Sequence, residues 1–423
     1  MRSLMKHVLL LGNSGAAAPT ASFTVTTTAP NQTLTINSLG VSASTTVDWG
    51  DGSTNDYTGT AQRTHQYAAA GNYIVRFMQP ELVTVFDIRD NKVTLNSADV
   101  KLCVNIQTAV FVALKAGTFN SADVSDWRPT TFYMYSMPTG YAGTFDSADV
   151  SDWRPTDFRL LSMPAGYAGT FDSADVSDWR PAYFQLYSMP AGYGGTFNSA
   201  DVSAWRPTSF WLYAMPAGYA GTFDSADVSD WRPTTFYMYS MPTGYAGTFD
   251  SADVSAWRPT DFRLYLMPSG YAGTFDSADV SDWRPTDFRL LSMPAGYAGT
   301  FDSADVSDWR PAYFRLYSMP AGYTFVISAG GFAGWITTTN FQVQGNALSQ
   351  AQVDQVLADF WTGFATRTAT AGTINLGGSN AAPSGTLQAA NPPTTGKEYA
   401  YCLVNDPDNV NPTKKWATVT ITA

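Results

Sequence analysis

A 26-residue segment occurs eight times in succession between Gly117 and Thr324, and no other feature limits the fold of this chain so strongly. The second copy, Gly143 to Ala168, reads GTFDSADVSDWRPTDFRLLSMPAGYA. A fixed period of this length is typical of a solenoid, in which each unit buries its apolar side by stacking on its neighbours. We therefore expect a mainly β chain with a parallel β-solenoid over residues 117–324.

Each copy predicts one short strand between two prolines. In the second copy, Pro155 and Pro164 bracket residues 156–163, and Gly166 and Gly169 follow where the chain is expected to turn. The bracketed segment alternates between polar and apolar residues, which is the period of a strand. Stacked copies are expected to form a parallel sheet with a spacing of about 4.8 Å.

Comparison of the copies separates the two sides of this strand. The position of Phe158 is Phe in every copy and that of Leu160 is only Leu or Met, so both are expected in the core. The alternating positions, those of Asp157, Arg159 and Leu161, differ from copy to copy. A constant core beneath a varied face is the pattern expected of a binding surface on a repeat scaffold.

Tyr, Trp and Arg predominate on the varied face, and they give large, rigid contact areas. Aromatic rings also suit sugar rings, and guanidinium groups suit carboxylates. Rings stacked in register would also stabilise the sheet without binding anything, so a purely architectural role stays open. The candidate binding face consists of Tyr133, Tyr135, Asp157, Arg159, Tyr183, Gln185, Tyr187, Trp211, Tyr213, Tyr237, Tyr239, Asp261, Arg263, Tyr265, Asp287, Arg289, Tyr313, Arg315 and Tyr317.

The segment DSADVSD of the second copy places Asp146, Asp149 and Asp152 three residues apart, and the middle aspartate is present in every copy. Calcium is a weak alternative for this segment, because the glycine of an Asp-rich calcium loop is missing and two copies replace the last aspartate. We expect instead that Asp149 caps a turn or pairs with Arg154, and that Trp153 fills the convex side beneath the arginine. No cofactor and no metal are expected.

Composition excludes several classes of function. The net charge is −11 and no basic cluster is present, which argues against nucleic acid and against anionic membranes. No apolar run approaches 18 residues, so no membrane insertion is expected. Cys103 and Cys402 have neither disulfide nor metal spacing. Neither His7 nor His65 lies near a nucleophile motif, and pairs of aspartates repeated along the copies do not suit one active site, so we expect no enzyme.

Residues 1–18 imitate a signal peptide, because Arg2 and Lys6 precede an apolar run. This run, Val8–Leu11, is shorter than the usual 7–15 residues of such a peptide. We therefore interpret residues 1–18 as a retained arm or edge strand.

Residues 19–80 predict a small β-sandwich. Its expected strands are Ser22–Thr27, Thr33–Ile36, Thr45–Trp49 and Asn72–Phe77. The motifs VDWGDGS (Val47–Ser53), THQY (Thr64–Tyr67) and GNYIV (Gly71–Val75) resemble the signature of PKD domains. The resemblance implies an Ig-like extracellular spacer or interaction module, with Trp49 and Tyr73 in the core, a tight turn at Asp51-Gly52 and a structural role for His65.

Two segments that flank the copies are similar to leucine-rich repeats. FDIRDNKV (Phe86–Val93) and FQVQGNAL (Phe341–Leu348) match the pattern LxLxxNxL, whose Asn satisfies backbone groups at a turn in that family. The copies themselves carry Met163 and its equivalents at the Asn position, which puts a horseshoe curvature in doubt. Residues 81–116 are interpreted as an atypical first coil, since NSADV (Asn96–Val100) already repeats the 26-residue pattern.

The C-terminal part predicts a cap. Ser349 and Gln352 form a capping-box pattern, and apolar residues at helical spacing predict a helix over 349–364 within a cap of residues 325–386. The segment TINLGGSNAAPS (Thr373–Ser384) resembles a unit that follows such repeats in phage and bacterial surface proteins. Residues 387–423 are expected to form a short β-tail with strands at Glu398–Val404 and Lys415–Thr422.

The expected function is that of a non-enzymatic virion protein, a bacteriophage fibre, spike or decoration that binds a host-surface glycan or protein. Copies two and seven are identical, and such recent duplication would let recombination vary the outer face. Other virion proteins are expected partners, and self-association is left open. The alternatives are a bacterial surface adhesin or extracellular-layer subunit, which needs export, and a passive spacer.

Overall fold

The N-terminal part of the chain is an antiparallel β-unit. The computed structural model describes residues 18–423, so the interpretation of residues 1–17 as an arm lies outside the described residues. The two strands predicted at 33–36 and 45–49 belong to one long strand that two register shifts interrupt. The unit contains β1 (Ala21–Thr27), β2 (Gln32–Asp48), β3 (Thr54–Tyr67) and β4 (Gly71–Phe77).

This unit closes the N-terminal end of the solenoid. β5 (Val83–Ile88) pairs antiparallel with β2, and β6 (Val93–Asn96) pairs antiparallel with β1. β5 then pairs in parallel with β7 (Thr108–Val112), and β6 pairs in parallel with β8 (Ala116–Thr118). Because an open sheet edge invites pairing with other chains, β1 and β2 protect the first edge of both sheets.

Two parallel sheets run along the solenoid, with one strand of each per coil. The long-strand sheet continues from β7, and adjacent strands in the copies pair over all five residues. The short-strand sheet continues from β8, and a short turn completes each coil. This turn is α1 (Ser97–Val100) in the first coil and a 3₁₀ turn such as Ser147–Val150 in six of the eight copies. The strands of the copies are β9 (Thr131–Tyr135), β10 (Tyr141–Thr144), β11 (Asp157–Leu161), β12 (Tyr167–Thr170), β13 (Tyr183–Tyr187), β14 (Tyr193–Thr196), β15 (Ser209–Tyr213), β16 (Tyr219–Thr222), β17 (Thr235–Tyr239), β18 (Tyr245–Thr248), β19 (Asp261–Tyr265), β20 (Tyr271–Thr274), β21 (Asp287–Leu291), β22 (Tyr297–Asp302), β23 (Tyr313–Tyr317) and β24 (Tyr323–Val326).

The residues predicted for the core are buried, which confirms the solenoid and the orientation of its strands. Phe158, Leu160 and all their counterparts are at most 1% exposed. Neighbouring rings of the Phe158 column stack with centroids 5.5–5.8 Å apart. Trp153, expected on the convex side beneath the arginine, is fully buried and lies 5.1 Å from the ring of Phe132 in the preceding coil. Each buried aromatic side chain stabilises the fold by about 1.5–3 kcal/mol.

The first glycine of each copy is required by the backbone. Gly143 has a φ of +132°, and a Cβ placed on it would lie 2.1 Å from the carbonyl oxygen of Phe119 in the preceding coil. The equivalent glycines have φ values of +125° to +141°. No L-amino acid with a side chain fits this conformation and this approach without displacing a neighbouring coil.

Three further strands and two helices close the C-terminal end. β25 (Asn340–Gln342), β26 (Thr373–Asn375) and β27 (Thr418–Thr420) extend the long-strand sheet in parallel. Between them lie α2 (Gln350–Thr362) and α3 (Gly396–Asn405). The predicted helix is confirmed as α2, and both bonds of the predicted capping box are present.

The strand predicted at Glu398–Val404 is wrong, because these residues lie in α3. Thr395 and Glu398 have the spacing of a capping box, and the Glu398 carboxylate accepts the amide of Thr395 at 3.1 Å at the start of the helix. The predicted strand at Lys415–Thr422 is present only as β27. The expected β-tail is therefore a helix followed by one strand.

The leucine-rich-repeat pattern has a structural counterpart at the C-terminal end alone. Asn346 Nδ2 donates to the carbonyl oxygens of Leu316 (2.7 Å) and Val343 (3.1 Å). At the N-terminal match, Asn91 is exposed, and Asp90 accepts two backbone amides in its place. The role expected for Asn91 is therefore wrong, because the carboxylate of Asp90 bonds the backbone there, as Asn346 does at the other end.

Candidate binding face

The outer side of the long-strand sheet carries the three varied columns. The paired register places Asp157 beside Thr131 and Tyr183, and Arg159 beside Tyr133 and Gln185. The same register holds along β9–β23, so every residue predicted for the candidate binding face lies on this one side. Whether the face binds a ligand stays a prediction.

The exposure of this face is uneven. The rings of Tyr183 and Tyr313 are 41% and 44% exposed and protrude most. Gln185, Tyr237 and Asp287 are at most 8% exposed, because neighbouring side chains on the same face cover them. A ligand would therefore meet only part of the residues predicted from sequence.

Four tyrosines of the third column form a continuous stack. The ring centroids of Tyr187, Tyr213, Tyr239 and Tyr265 are 4.2–4.3 Å apart, with planes within 15° of each other. Trp211 stacks in the same way on Tyr237, at 4.8 Å. Because each inner ring is covered on both sides, a ligand contacts ring edges and hydroxyl groups here, and the flat ring faces are not free for a sugar.

Asp-x-Arg sequences form internal ion pairs on this face. Arg159 donates from Nε and Nη2 to the two carboxylate oxygens of Asp157, at 2.8 and 2.9 Å. Arg289 makes the same two bonds to Asp287, at 2.8 and 2.6 Å. Residues two apart on a strand share a face, which places the fork of the guanidinium against the carboxylate.

Tyrosine and arginine complete these pairs across neighbouring strands. The hydroxyl of Tyr133 donates to Asp157, and the guanidinium carbon of Arg159 lies 4.4 Å from the centre of the Tyr133 ring. Burial, aided by this hydrogen bond, raises the pKa of Tyr133 to about 12, so the phenol stays a donor at neutral pH. Arg263 similarly bonds Asp261 and reaches Asp287 of the next coil at 3.0 Å.

Arg315 differs from the other arginines of the face. The residue two positions before it is Tyr313, and the residue that pairs with Tyr313 in the next coil is Asn340. Arg315 Nε donates to Asn340 Oδ1 at 3.1 Å, and no ion pair involves Arg315 within residues 18–423. Its guanidinium therefore lacks the carboxylate that Arg159, Arg263 and Arg289 have.

The aspartates of DSADVSD connect consecutive coils. The hydroxyl of Ser121 donates to Asp149 at 2.6 Å, and Asp146 accepts the amide of Thr170 at 2.8 Å. Asp152 pairs with Arg128 of the preceding coil at 3.1 Å, and Arg154 pairs with Asp178 of the next coil at 3.3 Å. The expected pairing of Asp149 with Arg154 is therefore wrong, and the turn Ser147–Val150 has no side-chain cap. The three carboxylates point to different partners, and no metal-binding group of His, Cys, Asp or Glu occurs in the described part of the chain.

The histidine of the N-terminal unit has structural contacts. The ring of His65 stacks on Trp49 at 4.7 Å, and its Nε2 lies 2.7 Å from Asp51 Oδ2. Trp49 is fully buried as predicted, whereas Tyr73 is half-buried and stacks on Tyr67, which takes the core position. These contacts fit the structural role expected for His65.

No family model, curated protein or solved structure matches this chain. Among the described residues, no helix is long and apolar enough to cross a membrane. The strands and their register make this chain a β-solenoid with an antiparallel N-terminal unit and C-terminal helices.

Proposed function

We propose that this chain is a non-enzymatic structural protein of a bacteriophage particle, a fibre, spike or decoration, whose solenoid presents its outer face to a host-surface glycan or protein. On this proposal the chain lies on the exterior of the virion and contacts other virion proteins. The solenoid holds the face rigid, since each coil is fixed to the next by both sheets and by the serine–aspartate contacts.

The observation that carries the proposal is the contrast between the two sides of one strand. The inner positions are constant over eight coils, and the outer positions differ while occupying equivalent places in the sheet. If the face were only structural, either the stacked tyrosines or the Asp-x-Arg pair would suffice in every coil. The face uses both arrangements, and this mixture supports selection for contacts with another molecule.

Two further observations support the setting. The N-terminal motifs resemble PKD domains, and the C-terminal segment Thr373–Ser384 resembles a unit of phage and bacterial surface proteins. Copies two and seven are identical, and copies one and five differ only at Asn120 and Asp224. Recombination between such copies rearranges the outer columns without disturbing the core, which suits a protein that must follow changes in a host receptor.

Location is tested by labelling. A gold-conjugated antibody against the solenoid, applied to purified particles, should mark the exterior in negative-stain images. Label on the surface of uninfected bacteria would favour the adhesin alternative, and label found in the cytosol alone would contradict both.

Binding is tested by a triple variant of the face. Tyr183→Ser and Tyr313→Ser remove the two most exposed rings of the face, and Trp211→Ser removes a partly buried one. None of the three breaks an ion pair. The matched control carries Arg154→Ser and Arg206→Ser, which break exposed ion pairs on the turns away from the face. We expect the labelled triple variant to lose retention on bacteria that bind the unaltered chain, and the control to keep it.

A passive spacer is the second candidate, and a specific observation favours it. The Tyr stack and the Asp-x-Arg pairs satisfy one another within the chain, which is how a surface that binds nothing would be stabilised. Unchanged retention of the triple variant on every strain that the unaltered chain binds would support the spacer and contradict the recognition proposal.

A further inference from the structure

Arg315 is distinguished by comparison with the other arginines of its own sheet. Four Asp-x-Arg sequences occur on this side, and in each the arginine bonds the aspartate two residues before it. The pairs are Asp87–Arg89, Asp157–Arg159, Asp261–Arg263 and Asp287–Arg289. The strand of Arg315 is the one place where the arginine is kept and the aspartate is replaced by a ring.

The charges around this place are not balanced. β19, β21 and β23 carry three arginines on the outer face (Arg263, Arg289 and Arg315) and two aspartates (Asp261 and Asp287), an excess of one positive charge. Asp287 is already shared by Arg263 and Arg289, at 3.0 and 2.6 Å. Neither carboxylate is left for Arg315, whose Nη groups make no hydrogen bond within residues 18–423 while its Nε is held by Asn340.

We propose that Arg315 and Tyr313 form a binding site for the carboxylate of an acidic sugar on the host surface, which rests on the proposed function of the face. The guanidinium fork would bind the carboxylate as its counterparts bind Asp157 and Asp287. The sugar ring would lie on Tyr313, whose ring is 44% exposed and alternates with Arg315 on the same side of β23.

The geometry favours a uronic acid over an acidic peptide. In a hexuronic acid the carboxylate is attached directly to a ring carbon, so the ring lies close to the fork. Residues two apart on a strand are about 6.5–7 Å apart, which places Tyr313 within reach of that ring. An aspartate or glutamate side chain brings no comparable ring, and would leave Tyr313 without a contact.

The chain contains its own control for this site. Copy three has the same outer strand as copy eight except that Gln185 replaces Arg315, and the two copies otherwise differ only at Gly194 and Thr324. Arg315→Gln therefore reproduces an arrangement that already packs in the same sheet. Tyr313→Asp is the second variant, because it supplies an internal carboxylate and keeps the arginine.

The test is a titration of the full chain with methyl β-D-glucuronide, in which binding is detected by saturation-transfer NMR. We expect binding by the unaltered chain and a loss of about tenfold or more in affinity for both Arg315→Gln and Tyr313→Asp, the size of one charge-assisted hydrogen bond. Methyl β-D-glucoside, which lacks the carboxylate, is expected to bind correspondingly more weakly.

In the binding assay, three results would overturn the inference. They are no binding of the glucuronide by the unaltered chain, equal binding by Arg315→Gln, and equal affinity for acetyl-aspartate amide, which would indicate an acidic peptide as the ligand. Retention on bacteria is measured for Arg315→Gln and, separately, for the triple face variant. If the triple variant loses retention and Arg315→Gln does not, the acidic-sugar site is wrong and the proposed function stands.

Discussion

The two sides of the long-strand sheet follow different rules although the same strands form both of them. On the inner side Phe158 and its counterparts are the same in every copy and stack in a buried column. On the outer side the equivalent positions hold Tyr, Trp, Arg, Asp, Gln, Ser, Thr or Leu, and they reach stability by contacts among themselves. The difference teaches that stacking fixes the inner side, while the outer side needs only local pairing.

The largest difference between the two sides is expected at one pair of neighbouring residues. Phe210→Ala removes a fully buried ring and should lower the free energy of unfolding by about 3–5 kcal/mol, because its cavity cannot collapse between two rigid coils. Trp211→Ala, one residue later and facing outward, should cost about 1–2 kcal/mol, since it loses partial burial and stacking. Urea denaturation measures both, and equal losses would contradict the contrast.

A backbone requirement should come next in size. Gly221→Ala places a Cβ 2.2 Å from the carbonyl oxygen of Phe197 at a φ of +135°, which should cost at least about 2 kcal/mol. Gly218→Ala is the matched control, because its Cβ meets no atom closer than 3.3 Å. Thermal unfolding should show a clearly lower midpoint for Gly221→Ala alone.

An outer ion pair is expected to contribute less than the core and more than an exposed pair. Arg159→Met leaves the half-buried carboxylate of Asp157 with Tyr133 alone and should cost about 1–2 kcal/mol. Asp178→Asn weakens the pair with Arg154, whose arginine and aspartate side chains are 49% and 76% exposed, and leaves the bonds of Arg154 to backbone carbonyls intact. It should cost about 0–0.5 kcal/mol. Urea denaturation at low and high salt measures the loss of stability in each variant. Equal losses, reduced equally by salt, would mean that the partial burial of the Asp157 pair has no effect.

The smallest effect should be a gain in stability. Leu266 directly follows β19, has a φ of +50° and is 51% exposed, so it carries backbone strain and little burial. Leu266→Gly should raise the free energy of unfolding by about 1 kcal/mol, because glycine adopts this conformation without strain. Leu264→Gly, on the buried side of the same strand, should instead destabilise the chain, and a loss of stability in Leu266→Gly would contradict the assignment of strain.

The sequence predicts the inner side well because its signal is repeated. Eight copies of the same alternation place Phe158 and Leu160 inside, and α2 follows from helical spacing and the Ser349–Gln352 pattern. β3 was not predicted, since its residues are mostly exposed and show no apolar alternation. α3 carries aromatic residues that favour a strand, although the spacing of Thr395 and Glu398 is that of a capping box.

The outer side is predicted only in part, because its contacts depend on neighbouring strands. The spacing of Asp157 and Arg159 places both on one side of a strand, a signal that could have indicated their internal pairing. The ring stack of Tyr187–Tyr265 and the covering of Gln185 depend on which copies are adjacent and on the rotamers chosen there. A single copy does not contain that information.

The most direct test of the account is an array in which the outer residues of all eight copies are replaced by those of copy two. Neighbouring Asp-x-Arg pairs already pack side by side at Arg263 and Asp287, 3.0 Å apart, so the fold should survive. The account predicts a circular dichroism spectrum and melting temperature close to those of the unaltered chain, together with loss of retention on bacteria. Full retention by this uniform array would contradict the claim that the varied face performs recognition.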